Sequence, residues 1–308
     1  MGEGKNMPKE PKEVITSLSL LLNKNKIDSN IKHCFNIKSI AECYIDLIDK
    51  ANHAIDDFRR KNDPLLIEHD LLVDGLLQRV INFHHSIKPL KDIFVSAMTA
   101  GRDVVDQFGE ATLFTSLFFE LGSQQLLHRD TPYFYSGGSG GYMGAWVALD
   151  DVDESNGPLM AVRGSHKLPE PDILKLKNQF FPDGNVPPSH TPLFNAYNDA
   201  VLEMSRQADM PLVTFLVKKG DLIIWNPSTL HGGLPHLNKS LTRRSFVMHI
   251  TPKNMPMKHM DYFFNRDRKV EPVQRDYSVH GNRVIASGNT VDFRHVKHFS
   301  IDELGEFN

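Results

Sequence analysis

The chain has 308 residues, 40% hydrophobic and 24% charged, with a formal net charge of -3. That length can bury a substantial core without disulfide staples, and the slight acidic balance argues against a nucleic-acid partner, which calls for a basic surplus or stripe. Cys34 and Cys43 are the two cysteines, a number that fits free thiols in a reducing compartment.

In chain order, residues 1–13 are polar and read as a disordered tail without the apolar run of a secretory signal. Gly2 follows Met1, but Asn6 stands where a myristoylation signal has Ser or Thr. Residues 14–105 read as helical, with apolar positions at three- and four-residue spacing. A further helix is expected to start at Asp63, as N-cap, with Pro64 in its first turn. His84 and His85 within it read as helix-surface or core residues. After Gly109 the texture changes to short runs rich in Thr, Phe, Val and Ile, divided by Gly, Pro, Asp and Asn. Such punctuation predicts strands over 110–255, arranged as a sandwich, barrel or jelly roll. Residues 168–210 show no clean period and read as an insertion or lid. Residues 256–308 read as a mixed C-terminal extension. The expectation is one α+β domain over 14–308. Runs such as 221–225 are too short to span a bilayer, so the protein is expected to be soluble and cytoplasmic, with no membrane partner.

The stretch Gln125–Tyr133, "QLLHRDTPY", places His128 and Asp130 two apart. Residues two apart on a strand share a face, so an imidazole nitrogen and a carboxylate oxygen become adjacent ligands. A third ligand from a neighbouring strand completes a facial triad, which leaves sites open on an octahedral ion and suits Fe(II). His231 is the candidate, placed after the apolar run 222–225 and followed by Gly232 and Gly233, which allow close backbone approach. With 15 histidines in the chain, about one His-x-Asp arises by chance, so context decides. His259-Met260-Asp261 has the same spacing but lies beyond the strand-rich block and is set aside.

The segments "LHRD", "GAWVALDDVDESNGPLMAVRGSHKLP", "KKGDLIIWNPSTLHGG" and "NKSLTRRSF" occur in that order over about 110–255. Together they resemble the phytanoyl-CoA dioxygenase family of Fe(II)/2-oxoglutarate oxygenases. The resemblance implies a double-stranded β-helix (jelly roll) with N-terminal helices packed on it, the triad His128, Asp130 and His231, and the co-substrates 2-oxoglutarate and O2. It also implies an arginine for the distal carboxylate of 2-oxoglutarate, about a dozen residues past the second histidine. Arg243 and Arg244 stand there and point to opposite faces of a strand. Arg243 is favoured because Arg243-x-Ser245 puts both residues on the co-substrate side, while Phe246, Met248 and Ile250 form an apolar face for the helices. The resemblance also offers Gln125 as a co-substrate contact, although three residues from His128 it shares a face only if a bulge intervenes. Leu159 and Arg163 stand where one branch of the family has Thr and Pro, and His166 reads as a structural turn residue rather than a ligand.

A carboxylate at position 130 fills a metal site that Gly or Ala would leave to halide, so the resemblance implies oxygenation rather than halogenation. The implied reaction hydroxylates, or otherwise oxidises, an unactivated C–H bond of a small molecule and releases succinate and CO2. Tyr133, Phe134 and Tyr135 follow the His-x-Asp pair and Arg129 lies within it, so these four are the candidate substrate contacts. Trp146 and Trp225 read as core. The Gly-rich run 136–144 reads as a loop at the pocket edge; it lacks the Lys-Ser/Thr and helix of a phosphate loop. The rival readings are a protein or peptide side-chain hydroxylase, a non-catalytic jelly-roll ligand-binding protein and, more remotely, a zinc hydrolase. Oligomeric state and substrate are not legible in the sequence.

Overall fold

The computed structural model describes residues 37–137, 141–271 and 273–308. The readings for the 1–13 tail, for the helix beginning at Val14, and for the thiols of Cys34 and Cys43 lie outside the described residues and side chains.

Helix α1 (Ile37–Glu68) is a single element of 32 residues that runs through Asp63 and Pro64. It buries Ile48, Ala51, Ile55 and Phe58, one stripe at three- and four-residue spacing. The expected second helix start at Asp63 is therefore incorrect, and so is helix over the next stretch. Residues 72–81 form three short strands, β1 (Leu72–Val73), β2 (Leu76–Leu77) and β3 (Val80–Ile81). Val73 pairs with Leu76, and between them Asp74 and Gly75 have φ of 52° and 75°. Positive φ at both central residues is the primed hairpin turn that Asp-Gly favours. Helices α2 (Pro89–Ala100) and α3 (Arg102–Val105) follow, with Pro at the start of α2.

Eight strands then build the centre: β4 (Ala111–Phe119), β5 (Gln125–His128), β6 (Met143–Ala148), β7 (Leu159–Val162), β8 (Leu212–Phe215), β9 (Leu222–Trp225), β10 (His231–Gly233) and β11 (Ser245–Pro252). The 168–210 segment, read as aperiodic, holds α4 (Ile173–Phe180) and α5 (Thr191–Gln207) between β7 and β8. The period of α5 is present in its buried residues Leu193, Tyr197, Val201 and Ser205, four apart. A His190 side chain, which accepts a hydrogen bond from the Leu193 amide, caps this helix in place of the usual Ser, Thr or Asp. The C-terminal part adds α6 (Met260–Phe263), β12 (Tyr277–His280), β13 (Arg283–Ala286), β14 (Thr290–Phe293), β15 (Lys297–Ser300) and α7 (Ile301–Leu304).

The strands form two principal sheets. The larger runs β15-β14-β3-β4-β11-β6-β9, with the β12–β13 hairpin attached along β4; the smaller runs β5-β10-β7-β8. From β4 to β11 the chain passes back and forth between them, and every pairing among these eight strands is antiparallel. The C-terminal residues are part of the large sheet rather than an appendage, because β14 pairs with β3 through Asp292↔Ile81 and Phe293↔Val80.

Alternation along β11 divides the molecule into an outer and an inner layer. Phe246, Met248 and Ile250 join Ile48, Ile55, Phe58 and Phe94 in the outer core between sheet and helices. At about 1.5–3 kcal/mol per fully buried large apolar side chain, this layer is the main anchor of the large sheet. Val247 instead joins Phe119, Trp146, Ile223 and Trp225 between the sheets. His84 and His85 are buried against this framework, with His84 Nδ1 2.7 Å from the Ser116 hydroxyl.

Candidate active site

Strands β5 and β10 are neighbours in the small sheet, and His231 lies directly opposite His128. Two residues beyond His128, just past the end of β5, Asp130 is fixed by its amide donating to the Pro227 carbonyl at 3.0 Å. The Nε2 atoms of both histidines lie 3.8 Å from Asp130 Oδ1, and one ligand atom from each residue falls within 4.8 Å of the others. The rings are oriented from behind. His128 Nδ1–H donates to the Leu126 carbonyl at 2.8 Å and His231 Nδ1–H to the Thr229 carbonyl at 3.0 Å. Carbonyls only accept, so each Nε2 presents its lone pair toward Asp130. Asp130 is divided in the same way: its Oδ2 accepts from Trp225 Nε1 at 3.0 Å and from the Tyr142 hydroxyl at 3.1 Å, while Oδ1 faces the imidazoles.

The electrostatics favour a ligand-ready state. Burial, reinforced by His231, pushes His128 down to about 4, so its imidazole is neutral at neutral pH. Burial opposes the charge on Asp130, but His231, His128 and His249, with the Trp225 indole, hold its carboxyl below the usual range. Burial and the Asp130 charge together raise Tyr142 well above the ordinary phenol value, so it stays a donor.

The triad opens into a cavity of about 1030 Å³. Arg243 lines this cavity and is 2% exposed. Its Nη1 donates to the Ser245 hydroxyl at 3.1 Å, its guanidinium stands 5.7 Å from the Trp146 ring centroid, and its Nε has no acceptor among the described residues. Burial lowers it to about 10, only partly offset by Asp150, so it keeps its charge at neutral pH. Arg244 goes the other way. It pairs with Glu120 at 2.8 Å and with Asp56 of α1 at 2.5 Å. The segment leading into β11 thus offers one guanidinium to the cavity and uses the next to lock the sheet to α1.

Gln125 lines the cavity too. It pairs with Gly233, two residues past His231, while itself three residues before His128, so β5 carries one extra residue across this register shift. The bulge restores the parity that an unbroken strand denies. Gly232 and Gly233 sit where a Cβ would come within 2.6 Å of the Gln125 carbonyl and 2.4 Å of the Ser123 carbonyl, which is why side chains are absent there.

Of the candidate substrate contacts, Tyr133 and Phe134 line the cavity. Tyr135 turns away and packs edge-on against Phe263 at 5.8 Å. Arg129 is not a cavity residue either: it is fully buried, its Nη2 donates to the carbonyls of Ser165 at 2.6 Å and Leu168 at 3.2 Å, and its amide donates to Asn198 Oδ1 on α5. It ties the His-x-Asp turn to the 165–168 turn. Ser165 continues the tie, because its hydroxyl accepts from the Leu230 amide next to His231. In the decoy pair, Asp261 is engaged by Arg268 at 3.2 Å, and His259 Nδ1 bonds the Tyr133 carbonyl at the cavity rim.

A family model for phytanoyl-CoA dioxygenase (PhyH) matches residues 42–245. The chain belongs to the phytanoyl-CoA dioxygenase family. Peroxisomal phytanoyl-CoA dioxygenases of Rattus norvegicus and Bos taurus are each 29% identical to it over 112 residues. Those residues are 36% of this chain and 28% of each relative, so the match spans little more than a quarter of the relatives' length. Among solved structures, AviO1 from Streptomyces viridochromogenes Tue57 is 19% identical, with 69% of this chain and 87% of that one covered and a TM-score of 0.45. SnoN, an epimerase in complex with Fe3+, alpha ketoglutarate and nogalamycin RO, is 18% identical, with 77% and 89% covered and a TM-score of 0.47. Enzymes of the phytanoyl-CoA dioxygenase family use Fe(II), 2-oxoglutarate and O2. The donor set fits that metal: two neutral imidazoles and one carboxylate oxygen on one side of an open cavity.

Three contributors to the site were not foreseen from the sequence. His249, on β11, lines the cavity, is 6% exposed, packs at a tilt against Phe134 at 4.6 Å, and has no partner for Nδ1 among the described residues. Trp225 is a core residue whose indole also holds Asp130. Gly144 makes that possible, since a Cβ there would lie 2.1 Å from the Trp225 ring. The signal for His249 was its parity with Arg243 and Ser245 along one strand; nothing in the sequence pairs Gly144 with Trp225.

Proposed function

We propose that this protein is an Fe(II)- and 2-oxoglutarate-dependent dioxygenase that oxidises an unactivated C–H bond of a small molecule, with release of succinate and CO2. We read its two sheets as a double-stranded β-helix. Supporting this are the strand orders β4-β11-β6-β9 and β5-β10-β7-β8, which place successive strands on alternate sheets except at β7–β8.

In this reading His128 Nε2, His231 Nε2 and Asp130 Oδ1 would hold Fe(II), which when bound supplies the activation of O2. The chain's own residues do the rest. Trp225 and Tyr142 occupy Asp130 Oδ2 and leave Oδ1 as the ligand. The Arg243 guanidinium, desolvated and without a salt bridge among the described residues, receives the distal carboxylate of 2-oxoglutarate, which a planar fork can bind with two parallel hydrogen bonds. Ser245 orients that fork through its hydroxyl. Gln125, on the bulge beside His128, is placed to donate to a co-substrate oxygen. Phe134, Trp146, Ile223 and Val247 form apolar walls that keep water from the reacting groups.

The observation that carries the proposal is the convergence of this triad and the buried Arg243 on one cavity. A small molecule is favoured over a protein side chain because helix α5 walls the cavity through Phe194, Asn195 and Asn198, giving the concave shape of a small-ligand site. The test is anaerobic titration of the purified protein with Fe(II) and then 2-oxoglutarate. A visible charge-transfer band is expected from the wild type and not from His128→Ala, followed by succinate release when O2 is admitted. A protein that binds 2-oxoglutarate yet yields no succinate with any substrate would be the non-catalytic relative instead.

A further inference from the structure

The cavity does not end at the triad. It continues across the large sheet to the C-terminal hairpin. Its wall passes from His249 on β11 to Thr115 on β4, the direct partner of His249, then to Asn82 and Arg79 flanking β3, and ends at His295 in the turn between β14 and β15. Two links run within this wall. Thr115 Oγ1 donates to Asn82 Oδ1 at 2.6 Å. Arg79 Nη2 donates to His295 Nε2 at 2.7 Å, and His295 Nδ1–H donates to Asp292 Oδ2 at 2.8 Å. His295 thus accepts from the arginine and donates to the aspartate, and it stands between the two charges. No carboxylate lies within ion-pair distance of Arg79 among the described residues, and its Nε has no acceptor. Arg79 and His249 line the same cavity as the triad.

The turn that delivers His295 is costly in conformation. Arg294 and His295 have φ of 56° and 60°, and neither is a glycine. Pairing with β3 fixes that turn beside Arg79, where the Arg294 amide donates to the Arg79 carbonyl at 3.1 Å. A hairpin needed only to cover the edge of the sheet has no use for an imidazole aimed at an arginine in a cavity wall.

We propose that Arg79, oriented by the Asp292–His295 couple, is an anion-binding subsite that anchors a carboxylate or phosphate of the substrate. This inference rests on the oxygenase reading for the words "of the substrate"; the subsite itself does not need it. Arg79 flanks β3, two strands across from β11, and the register sets it four residues along the sheet from His249, so the anionic group would sit well over one strand spacing from the carbon to be oxidised. The substrate class is then a small organic anion with an extended apolar or mixed body, charged at the end away from the metal.

The test uses the full-length protein with saturating 2-oxoglutarate, so that Arg243 is engaged. Small carboxylic acids are screened against their primary amides, and phosphate monoesters against their alcohols, by the rise in Tm they produce. Anionic members are expected to raise Tm where their neutral partners do not, and the better of the two arms identifies the anion. In Arg79→Gln the half-saturating concentration of the best anion should rise at least about tenfold. Arg79→Lys should recover part of it, and His295→Gln, at an exposed turn, should give an intermediate loss with an unliganded Tm close to wild type. Neutral partners that bind as well as the anions, no anion that raises Tm, or an Arg79→Gln that keeps the full response would each overturn the subsite. Selective anion binding without succinate release would keep the subsite and sink the oxygenase reading instead.

Discussion

Replacing Gly144 with alanine tests the idea that Asp130, proposed above as a metal ligand, is held from behind. The backbone at Gly144 is not in the left-handed region, so alanine is conformationally permitted and only its Cβ matters. That atom would lie 2.1 Å from Trp225 Cε2 and 2.2 Å from Cζ2, far inside contact distance, so the indole must move. Trp225 is wedged between sheets beside Trp146 and Ile223 and cannot swing freely; overpacking of this kind costs about 1–3 kcal/mol. The movement also breaks the 3.0 Å bond from Nε1 to Asp130 Oδ2, a bond to a buried carboxylate worth about 1.5–3 kcal/mol. A loss of roughly 2.5–6 kcal/mol in stability is expected, with a drop in metal affinity of about 10–100-fold, the usual effect of losing a group that orients a ligand. Denaturant unfolding gives the first figure and anaerobic Fe(II) or Co(II) titration the second. Trp225→Phe separates the two causes, because it removes the donor and not the room; adding Gly144→Ala to it should cost less than in the wild type. Unchanged metal affinity in Gly144→Ala would show that Asp130 does not depend on the indole, and the reasoning would be wrong.

The two neighbouring arginines should separate cleanly. Arg243→Gln is expected to weaken 2-oxoglutarate about 100-fold, the worth of a charge-assisted pair near 3 kcal/mol, with little change in Tm. Arg244→Gln leaves the fully buried Glu120 with Arg59 as its remaining cation, so it should cost about 2–4 kcal/mol of stability and leave 2-oxoglutarate affinity unchanged; reversed phenotypes would reassign the pair. Arg129→Met should lower stability by about 2–3 kcal/mol by orphaning the Ser165 and Leu168 carbonyls, and a selective rise in substrate KM at unchanged Tm would contradict its placement. The metal-free protein should be acid-sensitive. Burial holds His85, His128 and His249 at about 4 and keeps His84 well below its ordinary value, against about 6.5 in the unfolded chain. Between those values the unfolded chain binds more protons, so stability is full above pH 6.5 and falls as pH drops toward 4, by up to about 3 kcal/mol for each such group. Equal denaturant midpoints at pH 7 and pH 5 would refute it.

What the sequence revealed and what it hid divide along one physical line. Strand parity is local, so it was readable: His128 with Asp130, Arg243 opposed to Arg244, and the apolar Phe246, Met248 and Ile250 facing the helices all follow from a period of two. The stretch 72–81 was misread because paired leucines satisfy helical and strand spacing alike, and the Asp74-Gly75 turn that decides between them was passed over. The helices of 168–210 are not legible because α5 buries five residues of which two, Asn198 and Ser205, are polar, and its cap is a histidine.

The remaining gaps are matters of register between distant segments. Gln125 reaches the cavity only through a bulge opposite Gly233. Asp130 depends on Trp225 passing over Gly144, and His295 meets Arg79 across 216 positions of chain. Arg129 shows the same limit from the other side. Its place inside His-x-Asp suggested a substrate contact, yet the residue between two ligands on one strand face must point to the opposite face, and here that face is filled by the 165–168 turn and α5. The parity that sets His128 and Asp130 on one side, applied one residue further, already excluded Arg129 from the cavity. The same alternation, carried from Arg243 into β11, puts Val247 and His249 inward with that guanidinium, so a cavity imidazole was legible before any contact across the sheet was known.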